Sequence, residues 1–103
     1  MTRLSNTQQI KKITMHPQAA CKCVLGGDWY TINFDVEFIP GEWYPDYMEV
    51  QDFVQGHIDG ESLNIEDAVA ILRDSFIDFY PCQVTVTAKI ANAKTHFNVE
   101  VEG

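Results

Sequence analysis

Residues 30–38 read YTINFDVEF, and this stretch decides the fold. Its side chains alternate without a break between two faces: Tyr30, Ile32, Phe34, Val36 and Phe38 on the apolar face, with Thr31, Asn33, Asp35 and Glu37 on the polar face. A period of two points successive side chains to opposite sides of a strand. The stretch therefore predicts a long antiparallel strand with one face in a core and the other in water.

Two segments downstream have helical spacing instead of alternation. Residues 46–58 place most of their apolar side chains near one helical side. Residues 65–79 repeat apolar side chains every three or four positions and follow Asn64, a favoured N-cap residue. Pro81 ends this second helix, and alternation returns at residues 83–90. The middle of the chain is therefore expected to form two consecutive helices.

Strands are expected on both sides of the helix pair. The first begins near residues 21–25, before a Gly26-Gly27-Asp28 turn signal, and the last follows a turn at residues 91–94. The order is strand, strand, helix, helix, strand, strand, which gives an α+β fold: a four-stranded antiparallel sheet with two helices on one face. We expect one domain over residues 16–103, preceded by a polar, loosely held arm over residues 1–15.

The charge of the chain is negative and unevenly placed. The formal charge is -8, and residues 23–72 contain eleven Asp or Glu and no Lys or Arg. Phosphate backbones and anionic membrane surfaces are bound mainly through Lys and Arg. Neither direct nucleic acid binding nor a membrane partner is expected. A ligand that meets this region should be cationic, or neutral with hydrogen-bond donors.

The cysteines predict a reducing, cytoplasmic location. Cys21, Cys23 and Cys82 are odd in number and lack the spacing of a disulfide framework. The chain shows no signal-peptide pattern and no apolar run near the ~20 residues that span a bilayer. A zinc site formed by these cysteines with His16 or His57 is an alternative. Zinc sites usually separate paired cysteines by two to four residues, however, so we expect no metal.

Residues 21–29, CKCVLGGDW, carry a resemblance to a known family. They are similar to the nucleophile segment of the 7-cyano-7-deazaguanine reductases, in which a Cys is followed seven positions on by an Asp and then an aromatic residue. Glu49 lies where that family has a substrate-binding Glu, and residues 64–67, NIED, lie where it has Phe-His-Glu-Asp. The resemblance covers about residues 19–102 and implies the tunnelling fold, in which sheets join edge to edge and purine or pterin ligands bind where subunits meet.

The resemblance also implies roles for particular residues. Cys21 would add to a nitrile carbon and form a thioimidate, with Asp28 as the acid; a register shifted by two makes Cys23 the second candidate nucleophile. Glu66 and Glu49 would accept hydrogen bonds from a deazapurine-like ligand, and the sheets of several copies would associate into a homo-oligomer. Each residue also has a structural interpretation. A cysteine can be a small buried hydrophobic residue, and a Glu in a first helical turn can complement the helix dipole.

Departures from the family concern its cofactor. Residues 50–53 lie where the reductases carry cations for the NADPH phosphates, and the Arg-Gly-Gly of the last hairpin is replaced near residues 91–95. In addition, Ile65 replaces the His of the Phe-His-Glu-Asp motif, and Lys22 replaces the Pro that follows the nucleophile. NADPH therefore stays a candidate cofactor, although the chain lacks the reductases' NADPH-binding motif. The chain looks closer to a short branch that adds an amine to the bound nitrile in queuosine- or archaeosine-type tRNA modification. The alternative is a non-catalytic purine- or pterin-binding or structural oligomer.

Overall fold

The computed structural model describes residues 2–80, 82–92 and 97–103. Pro81 and the second half of the predicted 91–94 turn lie outside these residues. The elements follow in the order β1 (Arg3–Ser5), β2 (Ile13–Met15), β3 (Gln18–Lys22), β4 (Trp29–Ile39), β5 (Trp43–Pro45), α1 (Tyr47–His57), α2 (Ile65–Phe79), β6 (Gln83–Asn92) and β7 (Phe97–Glu102). Both predicted helices and the long alternating strand are confirmed.

Strand β4 is the centre of the main sheet. It pairs antiparallel with β6 on one edge and with both β2 and β3 on the other, and β7 extends the sheet beyond β6. The predicted topology is correct, but the first strand is divided in two, because Pro17 has no backbone N–H to donate to a ladder. The described sheet consequently has five strands where the sequence predicted four.

The core lies between this sheet and the two helices. Ile32, Phe34, Val36 and Phe38 on the apolar face of β4 are at most 1% exposed. Helix α2 packs mainly on β6, and its Phe76 ring lies 5.5 Å from the ring of Phe38. Neither α1 nor α2 is long and apolar enough to cross a membrane. The alternation that defines β4 thus also fixes the side of the sheet on which the helices lie.

Residues 3–5 and 13–15 pair with the rest of the fold, whereas the sequence predicted a loosely held arm over residues 1–15. β1 pairs with β5, and β2 joins the main sheet by pairing with β4. The Tyr80 hydroxyl donates to the Thr2 carbonyl at 2.8 Å, and Arg3 Nη2 donates to the Phe79 carbonyl at 2.9 Å. Strands of three residues are too short to show alternation, and their partners are distant in sequence.

The first core strand lies earlier than residues 21–25, because β3 ends at Lys22. Residues 23–28 form the turn of the β3–β4 hairpin instead. The Cys23 amide donates to the Asp28 carbonyl at 2.8 Å, and the Gly27 amide donates to the Cys23 carbonyl at 2.9 Å. Gly27 has φ of 72°, a conformation that favours glycine. The apolar Leu25 is 96% exposed on this turn, which is why the apolar run misplaced the strand.

Candidate active site

A cavity of about 340 Å³ opens where the β3–β4 hairpin meets the start of α2. Its lining comes from the hairpin, from residues around the start of α2 and from β6. The lining residues are Cys23, Asp28, Trp29, Tyr30, Leu63, Asn64, Ile65, Glu66 and Ile90. Three of these residues, Cys23, Asp28 and Glu66, are among those that the sequence singled out for chemistry or ligand binding. The structure therefore places a thiol and two carboxyl groups around one cavity.

Backbone pairing between β3 and the loop after α1 brings these distant residues together. The Lys22 amide donates to the Glu61 carbonyl at 2.9 Å, and the Leu63 amide donates to the Lys22 carbonyl at 3.2 Å. The loop therefore runs beside the end of β3 and delivers the first turn of α2 to the hairpin turn. Glu66 lies in that first turn. Its place at the cavity follows from this pairing and from the N-cap position of Asn64.

The Cys23 thiol has an environment that favours its ionised form. Hydrogen bonding from the backbone of Gly26, and then of Leu25, lowers the pKa of Cys23, while partial burial and the Asp28 carboxylate oppose that shift. Backbone N–H groups of a tight turn stabilise an anion because their dipoles converge on it. The thiolate is the nucleophilic form of cysteine. Cys23 is thus half-buried, borders the cavity and has a lowered pKa.

Cys21, the first candidate nucleophile, occupies a different environment. Its side chain is 0% exposed, and its Sγ donates to the Ile58 carbonyl at 3.2 Å. Burial raises the pKa of Cys21, and the carboxylates of Asp59 and Glu61 raise it further. Cys21 is absent from the lining of the described cavity. The geometry places the second candidate, Cys23, with Asp28 and Glu66, and places Cys21 in the core.

Glu49 does not share the cavity with Glu66. Its carboxylate accepts hydrogen bonds from the amide and the hydroxyl of Thr2, and these two bonds lower the pKa of Glu49. In this structure the Glu49 carboxylate contacts the N-terminal segment, and its role in ligand binding stays a prediction. Of the two glutamates implicated by sequence, the structure brings only Glu66 to the cavity.

Tyr30 is a cavity residue that the sequence assigned to the core alone. It pairs across the ladder with Cys21, is half-buried, and donates from its hydroxyl to the Leu63 carbonyl. The signal that could have identified it is a tyrosine at the first inward position of a strand, next to a turn with candidate catalytic residues. Its hydroxyl can form hydrogen bonds, which the apolar pattern alone did not indicate.

The residues considered for zinc are spread over the molecule. His16 Nδ1 lies 2.7 Å from Asp35 Oδ1 on the polar side of the sheet, and the His57 ring stacks on Phe53 at 4.3 Å. Within residues 2–80, 82–92 and 97–103, no group of three or more His, Cys, Asp or Glu side chains is placed to hold a metal ion. Cys23 is thus separated from the histidines that a zinc site would need.

Comparison with known proteins gives one informative result. No model of a protein family and no curated protein matches the chain. Among solved structures, the apo form of the archaeosine synthase QueF-Like superposes with a TM-score of 0.77, covering 91% of this chain and 94% of that one, with 17% sequence identity. The chain has the tunnelling fold. The fold expected from the order of strands and helices is therefore confirmed. Within this fold, the cavity lies between the β3–β4 hairpin and the start of α2.

Proposed function

We propose that this cavity binds a flat, neutral, donor-rich ring such as 7-cyano-7-deazaguanine and captures its nitrile on Cys23. The observation that carries the proposal is that Cys23, Asp28 and Glu66 border one cavity of about 340 Å³. The size suits a small heterocycle. The two carboxyl groups suit a ligand that donates hydrogen bonds. The structural similarity to the archaeosine synthase QueF-Like supports the choice of a deazapurine.

Glu66 is the proposed anchor for the ring. It projects from the exposed first turn of α2, and a carboxylate can accept two N–H bonds from a guanine-like edge. Such charge-assisted bonds are stronger than bonds between neutral groups. Leu63, Ile65 and Ile90 supply apolar walls for the ring itself. This combination holds a flat ligand by its donor edge.

The chemical step is addition of a thiol to a nitrile. The Cys23 thiolate forms a bond from Sγ to the nitrile carbon, and the nitrile nitrogen takes one proton as the triple bond becomes a C=N bond. Asp28 relays that proton: its carboxylate takes the proton that the Cys23 thiol loses and passes it to the nitrile nitrogen, so Asp28 is a carboxylate again at the end of the step. The product is a neutral thioimidate attached to Cys23. No electrons are transferred in this step.

An amine, rather than hydride from NADPH, is the proposed second reactant. The described cavity lining has no Lys or Arg for a dinucleotide phosphate, so its residues do not fit NADPH. An amine would add to the thioimidate carbon, the C–S bond would break, and the Cys23 sulfur would leave with the proton that the amine loses. The sum is nitrile plus amine giving amidine. The structural similarity to an archaeosine synthase is consistent with this choice.

Intact-mass analysis with 7-cyano-7-deazaguanine tests the capture step. We expect one ligand mass on the wild-type chain and on Cys82→Ser, and none on Cys23→Ser. Asp28→Asn should slow adduct formation about 100-fold, the lower end of effects on general acid catalysis. An adduct that survives Cys23→Ser and disappears in Cys21→Ser would reassign the nucleophile. No adduct on any cysteine would exclude the enzymatic proposal.

A binding protein without catalysis is the second candidate. Ile65, only 7% exposed, lines the cavity at the position where the resemblance has a histidine, so one polar group of the family pattern is missing. This candidate predicts reversible binding of both guanine and the nitrile by calorimetry, with no mass adduct. We further propose a homo-oligomer formed through sheet edges, since β7 pairs within the described sheet only with β6. Light scattering after gel filtration tests that assembly.

A further inference from the structure

Tyr30 connects the two halves of the cavity. Its ring stands on β4, the strand that follows the turn carrying Cys23 and Asp28. Its hydroxyl donates to the carbonyl of Leu63, which directly precedes Asn64 at the start of α2. Both Tyr30 and Leu63 line the cavity. One hydrogen bond therefore joins the hairpin that carries the thiol to the helix start that carries Glu66.

The start of α2 is held by Ile65 in the core and by backbone bonds, but it lacks a side-chain cap. Asn64 has the extended conformation of an N-cap, with φ of -79° and ψ of 156°, but its side chain makes no capping bond. The Ala68 amide donates to the Asn64 carbonyl at 3.2 Å, and the Leu63 amide donates to the Lys22 carbonyl, also at 3.2 Å. The capping bond that usually orders a first turn is missing here. The bond from the Tyr30 hydroxyl to the Leu63 carbonyl, just before Asn64, replaces part of that constraint.

We propose that Tyr30 is a positioning residue that holds the first turn of α2, and with it Glu66, at a fixed place relative to Cys23. This inference rests on the proposed function of the cavity, and it assigns to Tyr30 a role in ligand binding rather than in the chemical step. Its hydroxyl hydrogen is committed to Leu63, so toward a ligand the oxygen can only accept. That property matches Glu66, which also accepts hydrogen bonds.

The electrostatic environment of Tyr30 agrees with this position. Burial raises the pKa of Tyr30, and the charges of Cys21, Cys23, Glu66 and Asp67 raise it further. The phenol is therefore neutral at ordinary pH and keeps its donor. The geometry gives the same position: Tyr30 lines the cavity together with Cys23 and Glu66, and its hydroxyl reaches Leu63 beside the start of α2. A phenylalanine at this position would keep the ring and remove only the tether.

Amide hydrogen exchange on the ligand-free protein tests the tether directly. Tyr80→Phe is the matched control, because the Tyr80 hydroxyl also donates to a backbone carbonyl, that of Thr2, away from the cavity. Tyr30→Phe should raise exchange of the Leu63 and Ala68 amides about tenfold, as expected when a local constraint worth one hydrogen bond is lost. The Val86 amide, bonded to the Gly103 carbonyl at 3.0 Å, should not change. Equal exchange of Leu63 and Ala68 in both variants would overturn the proposal.

Adduct kinetics with 7-cyano-7-deazaguanine separate positioning from a general structural role. Tyr30→Phe should raise the half-saturating nitrile concentration about tenfold and leave the first-order rate at saturation within about twofold. Tyr80→Phe should change neither. A wild-type protein that forms no adduct, combined with faster Leu63 exchange in Tyr30→Phe, would refute the proposed function and retain the tether. An adduct with unchanged half-saturation and unchanged exchange in Tyr30→Phe would retain the function and refute the tether.

Discussion

The starts of the two helices differ in how their polar groups are satisfied. At α1, the Asp46 side chain accepts from the Met48 amide at 3.0 Å, and Glu49 is held by Thr2. At α2, Asn64 makes no side-chain capping bond, and Glu66 borders the cavity. Both starts carry acidic residues in the first turn, which favour the positive end of the helix dipole. Only the second leaves its groups open to a ligand.

This difference shows how a first-turn glutamate becomes a binding candidate. A carboxylate that already accepts two bonds within the chain has little capacity left for a ligand, and Glu49 is in that state. Glu66 also lies in the first turn of its helix, but it borders a cavity that also contains a thiol. Helix position therefore does not separate the two roles, whereas the partners supplied by the rest of the fold do.

The largest expected effect concerns what holds α2 in place. Phe76→Ala should lower the free energy of unfolding by about 3–5 kcal/mol, because Phe76 is 1% exposed and packs against Phe38. Ile77→Ala, in the same helix but 52% exposed, should change it by less than about 0.5 kcal/mol. Urea denaturation gives both values. A loss below about 1 kcal/mol for Phe76→Ala would contradict anchoring by the buried side.

The next effect compares the two glutamates as ligand contacts. Glu66→Gln should weaken binding of guanine, which carries no nitrile, about 10- to 100-fold, because hydrogen bonds to a charged group contribute roughly 1.5–3 kcal/mol. Glu49→Gln should bind with unchanged affinity, since its carboxylate already serves Thr2. Isothermal calorimetry measures both. Equal losses in the two variants would show that the helix starts do not differ in function.

The sequence predicted the elements of this comparison better than their contacts. The alternation of residues 30–38 and the helical spacing of 65–79 predicted β4 and α2, because each pattern is long and buries one face. The choice between Cys21 and Cys23 required knowing where β3 ends. β3 pairs with β4 up to Lys22 and Trp29, and the apolar but exposed Val24 and Leu25 of the turn concealed that boundary. β1 was missed for another reason, the distance in sequence to its partner β5, and with it the Thr2 contact that engages Glu49.

A smaller effect should separate the caps themselves. Asp46→Ala should lower the free energy of unfolding by about 1 kcal/mol, the usual cost of losing an N-cap side chain. Asn64→Ala should cost less than Asp46→Ala, because the Asn64 side chain makes no capping bond. Urea midpoints at constant slope provide the comparison. A larger loss for Asn64→Ala would mean that the Asn64 side chain supports α2 by a contact other than a cap.

The smallest effect is the pH dependence of the Glu49 contact. The Thr2 bonds lower the pKa of Glu49 in the folded state, so this carboxylate stabilises the fold above its unfolded pKa, and that stabilisation is lost as pH falls through the lowered folded value. The urea midpoint of the wild type should therefore exceed that of Glu49→Gln at pH 7, and the difference should shrink in the acidic range. Thr2→Val removes the hydroxyl donor. In a Thr2→Val background, the difference in urea midpoint between Glu49 and Glu49→Gln should therefore depend less on pH. A difference that stays constant from pH 7 to strongly acidic pH would show that Glu49 is not held by its charge, and the contrast with Glu66 would then rest on the cavity alone.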